Sequence, residues 1–285
     1  MSADVTEPPE ITTADLLEVE DDHFTDESVA IVTGGGSGIG RATAVALAHN
    51  GLRVVATDVD EAGLAETVEA AEACDAGGLV ETVAGDLADE GEIEAVVAAA
   101  AELGDLRYVA NIAGLQHISP IETFPTEKFD LMVDVMLRAP FLLAKHSMPH
   151  IRETDDGVGA IGNMASVHAH IATTDKVAYH AVKYGLRGVT AAIAAEGEGT
   201  LRSFTVSTGY VRTPLVTDQI PDTAAERGIS EEAVVEDVML GEARVKEMME
   251  PAEVANLFTY GFSRHGRHLN GGDLTWDGGF LNTYL

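Results

Sequence analysis

Three residue types that do chemistry together stand in the stretch ASVHAHIATTDKVAYHAVKYG, residues 165–185: Ser166, Tyr179 and Lys183. A free tyrosine has a pKa near 10 and is a poor base at neutral pH. A neighbouring ammonium favours the phenolate and brings that pKa toward a useful range. Tyr179 and Lys183 are four residues apart at the start of a run with helical periodicity, so they share one helix face. Ser166 ends the strand-like run before them and can hydrogen-bond the same substrate oxygen. The trio suits taking a proton from an alcohol while hydride leaves its carbon for a nicotinamide. Ser, Tyr and Lys at such separations also arise by chance, so alone they leave the chemistry open. Lysine is scarce, however. Of Lys128, Lys145, Lys176, Lys183 and Lys246, two lie seven residues apart here.

A second constellation is TGGGSGIG, residues 33–40, between a strand-like run and a helical one. Glycines at Gly34, Gly38 and Gly40 let the backbone turn tightly and approach a pyrophosphate, which then meets the free N–H groups of a helix start. Asp58 ends the next strand-like run, 24 residues after Gly34. A carboxylate there accepts hydrogen bonds from a ribose diol and repels a 2′-phosphate, favouring NAD over NADP. Ser37 brings no positive charge for that phosphate, and Arg41 lies past the loop.

These groups need a scaffold that brings strand ends together. From Ser28 onward, SVAIVT, LRVVATD, LVETVAGD, LRYVAN, GAIGNMAS and RSFTVST read as strands, with Ala-rich helical runs between them. That alternation predicts a single α/β domain over 28–285 with a parallel sheet covered on both faces. Residues 1–27 hold ten acids and no Lys or Arg, so they read as a disordered acidic N-terminal arm. Between 212 and 250 the alternation stops in a polar segment, placed after a strand end where a substrate lid would sit.

Thr33-Gly34 with Gly38 and Gly40, then Asp86, NIAG at 111–114, and Ser166, Tyr179 and Lys183 resemble the short-chain dehydrogenase/reductase family over residues 28–279. Within it, AGLQHISPIETFP, ASVHAHIATTDKVAY and GYVRTPLVTDQI resemble bacterial-type D-3-hydroxybutyrate dehydrogenases. The resemblance implies a Rossmann-type, doubly wound, seven-stranded sheet, a homotetramer, and NAD-linked interconversion of a small hydroxy acid and its keto acid. It makes Tyr179 the acid/base, with Ser166 on the substrate oxygen and Lys183 lowering the tyrosine pKa and holding the nicotinamide ribose. It implies a cofactor site of Gly34, Ser37, Gly38, Ile39, Gly40, Asp58, Asp86, Leu87, Ala113, Gly114, Val211 and Thr213. It assigns the substrate carboxylate to Gln116, His168, Lys176 and Gln219, a donor set that suits a small anion.

Three positions depart from the family pattern. Met136 stands where an asparagine often serves a proton relay, Ile112 replaces the second asparagine of NNAG, and Thr208-Gly209 replaces Pro-Gly. The last change is expected to loosen the turn that carries Val211 and Thr213. No metal is expected. His168 and His170 face opposite ways if extended, and His146 and the other histidines lack the sequence spacing of a zinc site. The net charge of −31 argues against nucleic acid or anionic membranes as partners and resembles proteins of salt-loving archaea. One cysteine, Cys74, and no signal-like segment make the cytoplasm the expected compartment.

Overall fold

The computed structural model describes residues 9–76 and 80–282. Seven parallel strands form one sheet in the order β3-β2-β1-β4-β5-β6-β7. They are β1 (Ser28–Thr33), β2 (Arg53–Asp58), β3 (Val80–Ala84), β4 (Asp105–Asn111), β5 (Gly159–Met164), β6 (Leu201–Thr208) and β7 (Asp273–Trp276). The run LVETVAGD begins at Leu79, which lies outside the described residues. Strands β1, β5 and β6 are buried along their whole length, as a sheet covered on both faces requires.

One face packs α1 (Gly38–His49), α2 (Glu61–Ala73) and α10 (Pro251–Phe262) around Leu47, Tyr108, Phe204, Phe258 and Phe262. The other packs α3 (Glu90–Leu103), α5 (Ala139–Glu153) and α6 (Val177–Glu196) around Ile93, Val97, Leu142, Leu143 and Ile193. Before α5, α4 (Thr126–Val133) passes through a π-helical stretch over Asp134–Arg138. Chain order reverses between β1 and β4, and at such a switch point the strands' carboxyl ends open a crevice.

The interruption after β6 holds α7 (Pro214–Thr217), α8 (Gln219–Arg227), α9 (Glu231–Ala233) and a second π-helical stretch, Val234–Met239. Ile220, Val234, Val235, Met239 and Met248 give it a small core of its own.

The expected disorder through residue 27 is corrected for 9–27; residues 1–8 lie outside the described residues. Leu16 and Phe24 are buried in the first core, and Phe24 meets Tyr108 edge-on at 5.8 Å. Two asparagines hold the segment's backbone. Asn50 accepts from Val19 N and donates to Leu17 O, both at 2.8 Å. Asn256 accepts from Leu17 N and donates to Asp15 O, also at 2.8 Å. Asp21 turns inward to accept from His23 N and Arg264 N, and the other acids of 9–27 face solvent while a few apolar side chains reach inward, which composition alone conceals.

Candidate active site

The carboxyl ends of β1, β2, β4, β5 and β6 deliver their following loops to one cavity of about 560 Å³. Gly34 turns with φ +67°, and a Cβ there would come within 2.8 Å of Ala113 Cα. A Cβ on Gly40 would run into the Gly34 carbonyl, so the loop closes onto the start of α1 only because both residues are glycine. Thr33 joins this loop to the next strand end, its hydroxyl accepting from Ile112 N at 2.9 Å and Ala113 N at 3.1 Å. At Ile112, then, the side chain packs in the core and the backbone contact remains.

The Asp58 carboxylate is held by Gly36 N at 3.0 Å and Asp60 N at 3.1 Å. Arg41 is already engaged, donating to Glu66 at 2.6 Å and to Gly36 O at 2.5 Å. Gly34, Ser37, Gly38, Ile39, Gly40, Asp58, Asp86, Leu87, Ala113, Gly114, Ser166, Tyr179, Lys183, Val211 and Thr213 all line the cavity. The glycine cradle and the free N–H groups of α1 fit a dinucleotide. Backbone hydrogen bonds hold the turn after Thr208-Gly209. Gly209 N donates to Trp276 O at 3.3 Å, and Arg212 N donates to Met249 O at 2.8 Å.

Ser166 follows β5 and caps the short 3-10 turn Val167–Ala169, accepting from His168 N at 3.2 Å. Tyr179, the third residue of α6, lines the same cavity close enough for the Ser166 hydroxyl to oppose part of the rise in its pKa. Lys183, one turn on, is buried, with its ammonium 5.4 Å from the Tyr179 ring centroid and donating to Met164 O at 2.6 Å. Burial brings the Lys183 pKa down to about 8. Burial also pushes Tyr179 up to about 12, outweighing the opposing pull of Ser166. A tyrosine pKa lowered by Lys183 is therefore not what this pocket produces by itself: the ammonium spends its short hydrogen bond on the Met164 carbonyl. At pH 7 the site holds a neutral phenol beside an ammonium, which suits donating a proton to a ketone oxygen.

The four residues expected on the substrate carboxylate do not line this cavity. His168 is buried beside it, its ring 5.7 Å from that of Tyr179 and its Nδ1 3.3 Å from Ser166 Oγ. Burial first, then the charge of Lys176, brings its pKa down to about 3, so it is a neutral imidazole. Lys176 caps α6 half-buried; burial alone lowers its pKa, and no carboxylate of the described residues pairs with it. Gln116 keeps a buried Oε1 without a partner among the described residues. Gln219 turns away, its amide donating to Leu215 O one turn back.

His168 and His170 sit on a 3-10 turn rather than in an extended strand; His170 contacts Asp273 at 2.7 Å. The fold brings His146 beside Glu90 and Glu94 of α3, a grouping that sequence spacing did not reveal. Glu90 already accepts from Lys145 at 2.8 Å and Arg138 at 3.3 Å, so the cluster is an ion-pair network.

Sequence reasoning missed the apolar wall: Leu115, Leu131, Val135, Leu215 and Val216 line the cavity. It also missed Tyr210, a half-buried neutral phenol near Tyr179 whose own pKa burial raises. Leu115, Tyr210, Leu215 and Val216 follow the ends of β4 and β6, the one signal that could have found them, whereas Leu131 and Val135 lie in α4 and the π-helical stretch and gave none. Met136 is buried against Met132, Ala178 and Val182, so its side chain serves packing.

The family described as Enoyl-(Acyl carrier protein) reductase matches residues 34–281. The chain belongs to the short-chain dehydrogenase/reductase family, whose members are oxidoreductases using NAD or NADP. It is 34% identical to the D-beta-hydroxybutyrate dehydrogenase of Rhizobium meliloti, over 88% of this chain and 97% of that one. It is also 34% identical to the D-threitol dehydrogenase of Mycolicibacterium smegmatis, over 95% and 99%. Among solved structures, levodione reductase superposes with a TM-score of 0.84 at 32% identity, covering 92% of this chain and all of that one. Among the described residues no helix is long and apolar enough to cross a membrane.

Proposed function

We propose that this oxidoreductase uses NAD to interconvert a small 3-hydroxy acid and its 3-keto acid, with D-3-hydroxybutyrate and acetoacetate as the pair. The observation that carries the reading is Lys176, a half-buried cation with no carboxylate partner among the described residues, in a chain of net charge −31. A neutral imidazole, His168, lies within reach of its charge, and Gln116, an amide able to donate, stands on the segment joined to the Lys176 loop by the Ser119 N–Asp175 O bond. A small carboxylate satisfies such a site. Gln219 completes it if the segment over 212–250 closes as a lid, turning the amide away from Leu215.

When bound, the nicotinamide supplies or accepts the hydride, and its oxidised form adds a positive charge that favours the phenolate. Tyr179 delivers or takes the proton at the substrate oxygen. Ser166 orients that oxygen, and Lys183 holds the ribose side of the pocket. Asp58, pinned by two amides, supports NAD over NADP, and Arg41 is engaged with Glu66. The reading extends to a cytoplasmic homotetramer working in concentrated salt, where ~1 M ions shorten the Debye length to about 3 Å and screen carboxylate repulsion.

A second reading, a sugar or polyol dehydrogenase, is favoured by the 34% identity to D-threitol dehydrogenase. A nucleotide-binding regulator without chemistry is disfavoured by Ser166, Tyr179 and Lys183 lining one cavity.

The test compares Lys176→Ala with the parent on acetoacetate and on its neutral ethyl ester in ~3 M KCl. A charge-assisted contact contributes on the order of 1.5–3 kcal/mol, so kcat/KM for the acid should fall roughly 10- to 150-fold and that for the ester little. An equal loss on both compounds, or a parent that prefers tetritols, would transfer the assignment to the polyol reading. Melting temperature should rise between ~0.1 and ~3 M KCl, and a flat or falling trend would remove the salt-adapted part.

A further inference from the structure

The loop bearing Lys176, residues 170–176, is tied down at one point that the chemistry above does not use. His180, one residue past Tyr179, turns its ring away from the cavity and under that loop. Its Nε2 accepts from Thr173 N at 2.9 Å and lies 3.0 Å from Thr173 O, while its Nδ1 is 3.2 Å from the His168 carbonyl. The neutral ring with its proton on Nδ1 donates to His168 O and accepts from Thr173 N. One side chain thus joins the turn that carries His168 to the loop that carries Lys176.

Two further observations place the joint in the substrate half. The His180 and His168 rings lie 5.1 Å apart, and His168 in turn faces Tyr179 at 5.7 Å. Asp175, next to Lys176, adopts φ +64°, a left-handed conformation uncommon outside glycine, and its carbonyl accepts from Ser119 N at 2.9 Å. Strained backbone of this kind persists only where surrounding contacts hold it. The Ser119 bond joins the Lys176 loop to the segment carrying Gln116, and the His180 clip joins it to the turn carrying His168.

We infer that His180 is a positioning residue that fixes loop 170–176 against the His168 turn, and thereby sets the distance between the Lys176 ammonium and the Ser166–Tyr179 pair. That distance is a ruler for the separation of carboxylate and carbonyl in the substrate, so His180 governs selectivity for a 3-keto acid over longer homologues. The selectivity part rests on the carboxylate reading above; the clip itself does not.

The test uses the full-length enzyme and two variants. His180→Phe keeps an aromatic ring and removes both nitrogens; His180→Gln keeps an acceptor and a donor near Thr173. Hydrogen exchange read by mass spectrometry should speed up across 168–176 in His180→Phe, roughly 10-fold, and recover in His180→Gln. In the same variant KM for acetoacetate should rise about 5- to 10-fold with kcat, NADH affinity and the rate on ethyl acetoacetate nearly unchanged. The preference for acetoacetate over levulinate, one methylene longer, should narrow. Unchanged exchange in His180→Phe overturns the clip, and faster exchange with equal losses on acid and ester overturns the ruler. A parent inactive on acetoacetate defeats the substrate reading, and exchange alone then decides whether His180 holds the loop. Should His180→Phe not fold, exchange and kinetics of His180→Gln against the parent decide: full recovery supports the clip, and loss of protection despite the retained acceptor and donor overturns it.

Discussion

In the cofactor half of the cleft the shape is made by backbone; in the substrate half it is made by side chains carried on loops. Gly34, Gly38, Gly40, Ala113 and Gly114 line the cavity with main chain, and even Asp58 is held by the amides of Gly36 and Asp60. Gln116, His168, Lys176 and Gln219 come from four separate segments and do not line the cavity. A parallel sheet makes its carboxyl strand ends converge whatever the side chains are, so the first half follows from topology. The second half has no such guarantee and needs ties: the His180 ring across the loop and the Ser119–Asp175 bond.

Tyr179 stands at the junction, and its replacement is the most damaging change either half should tolerate without unfolding. Tyr179→Phe keeps the ring and removes the oxygen that moves the proton. Turnover should fall roughly a thousandfold or more, while NADH binding, read by fluorescence titration, stays close to that of the parent. Activity within tenfold of the parent would assign the proton step elsewhere and detach the junction from the chemistry.

A smaller effect separates the cofactor half from ordinary structural damage. Asp58→Ala should lower kcat/KM for NAD about 10- to 100-fold, since a charged acceptor for the ribose diol is lost. NADP should lose far less, because the same change removes a repulsion. Equal losses on the two cofactors would mean that Asp58 only braces the glycine loop through Gly36.

The same contrast explains what could be read from the chain. Strand–helix alternation, the glycine loop and Asp58 were legible because each is local: a few consecutive residues fix a turn, a helix start or a strand end. Tyr179 and Lys183 were legible because four residues on a helix is itself a distance. The packing of 9–27 was not, because its anchors, Leu16 and Phe24, are two apolar residues among acids, and Asn50 and Asn256 are distant in sequence. Nor was the Tyr179 pKa, which depends on how deeply the ring is enclosed and on where Lys183 points. Spacing puts an ammonium near a phenol; only the fold shows Met164 O taking its short hydrogen bond. The Glu90–His146 grouping was hidden for the same reason, since α3 and α5 meet only in the folded sheet layer.

The smallest effect expected is on stability, and it carries a sign that can be worked out. Lys183 has an ordinary pKa of 10.5 in the unfolded chain and about 8 in the fold, lowered by burial. Below pH 8 both states bind the proton, and the native state bears the full cost of a buried charge. Between about pH 8 and 10.5 the native state has released a proton that the unfolded chain still holds, so stability rises with pH across that window. At ~1.4 kcal/mol per pKa unit, the burden at pH 7 is on the order of 3 kcal/mol. Lys183→Met removes it and forfeits the hydrogen bond to Met164 O, which costs about 1 kcal/mol. The cofactor-free variant should therefore melt a few degrees above the parent at pH 7, although it has no useful turnover. Repeated at pH 10 in the same KCl, the gap should shrink or reverse, because the parent's lysine is then neutral in the fold. A variant that melts below the parent at pH 7 would show that Lys183 supports the pocket through its contacts more than it strains it. The junction between the halves would then be held together by this lysine rather than carried at a cost for the sake of the chemistry.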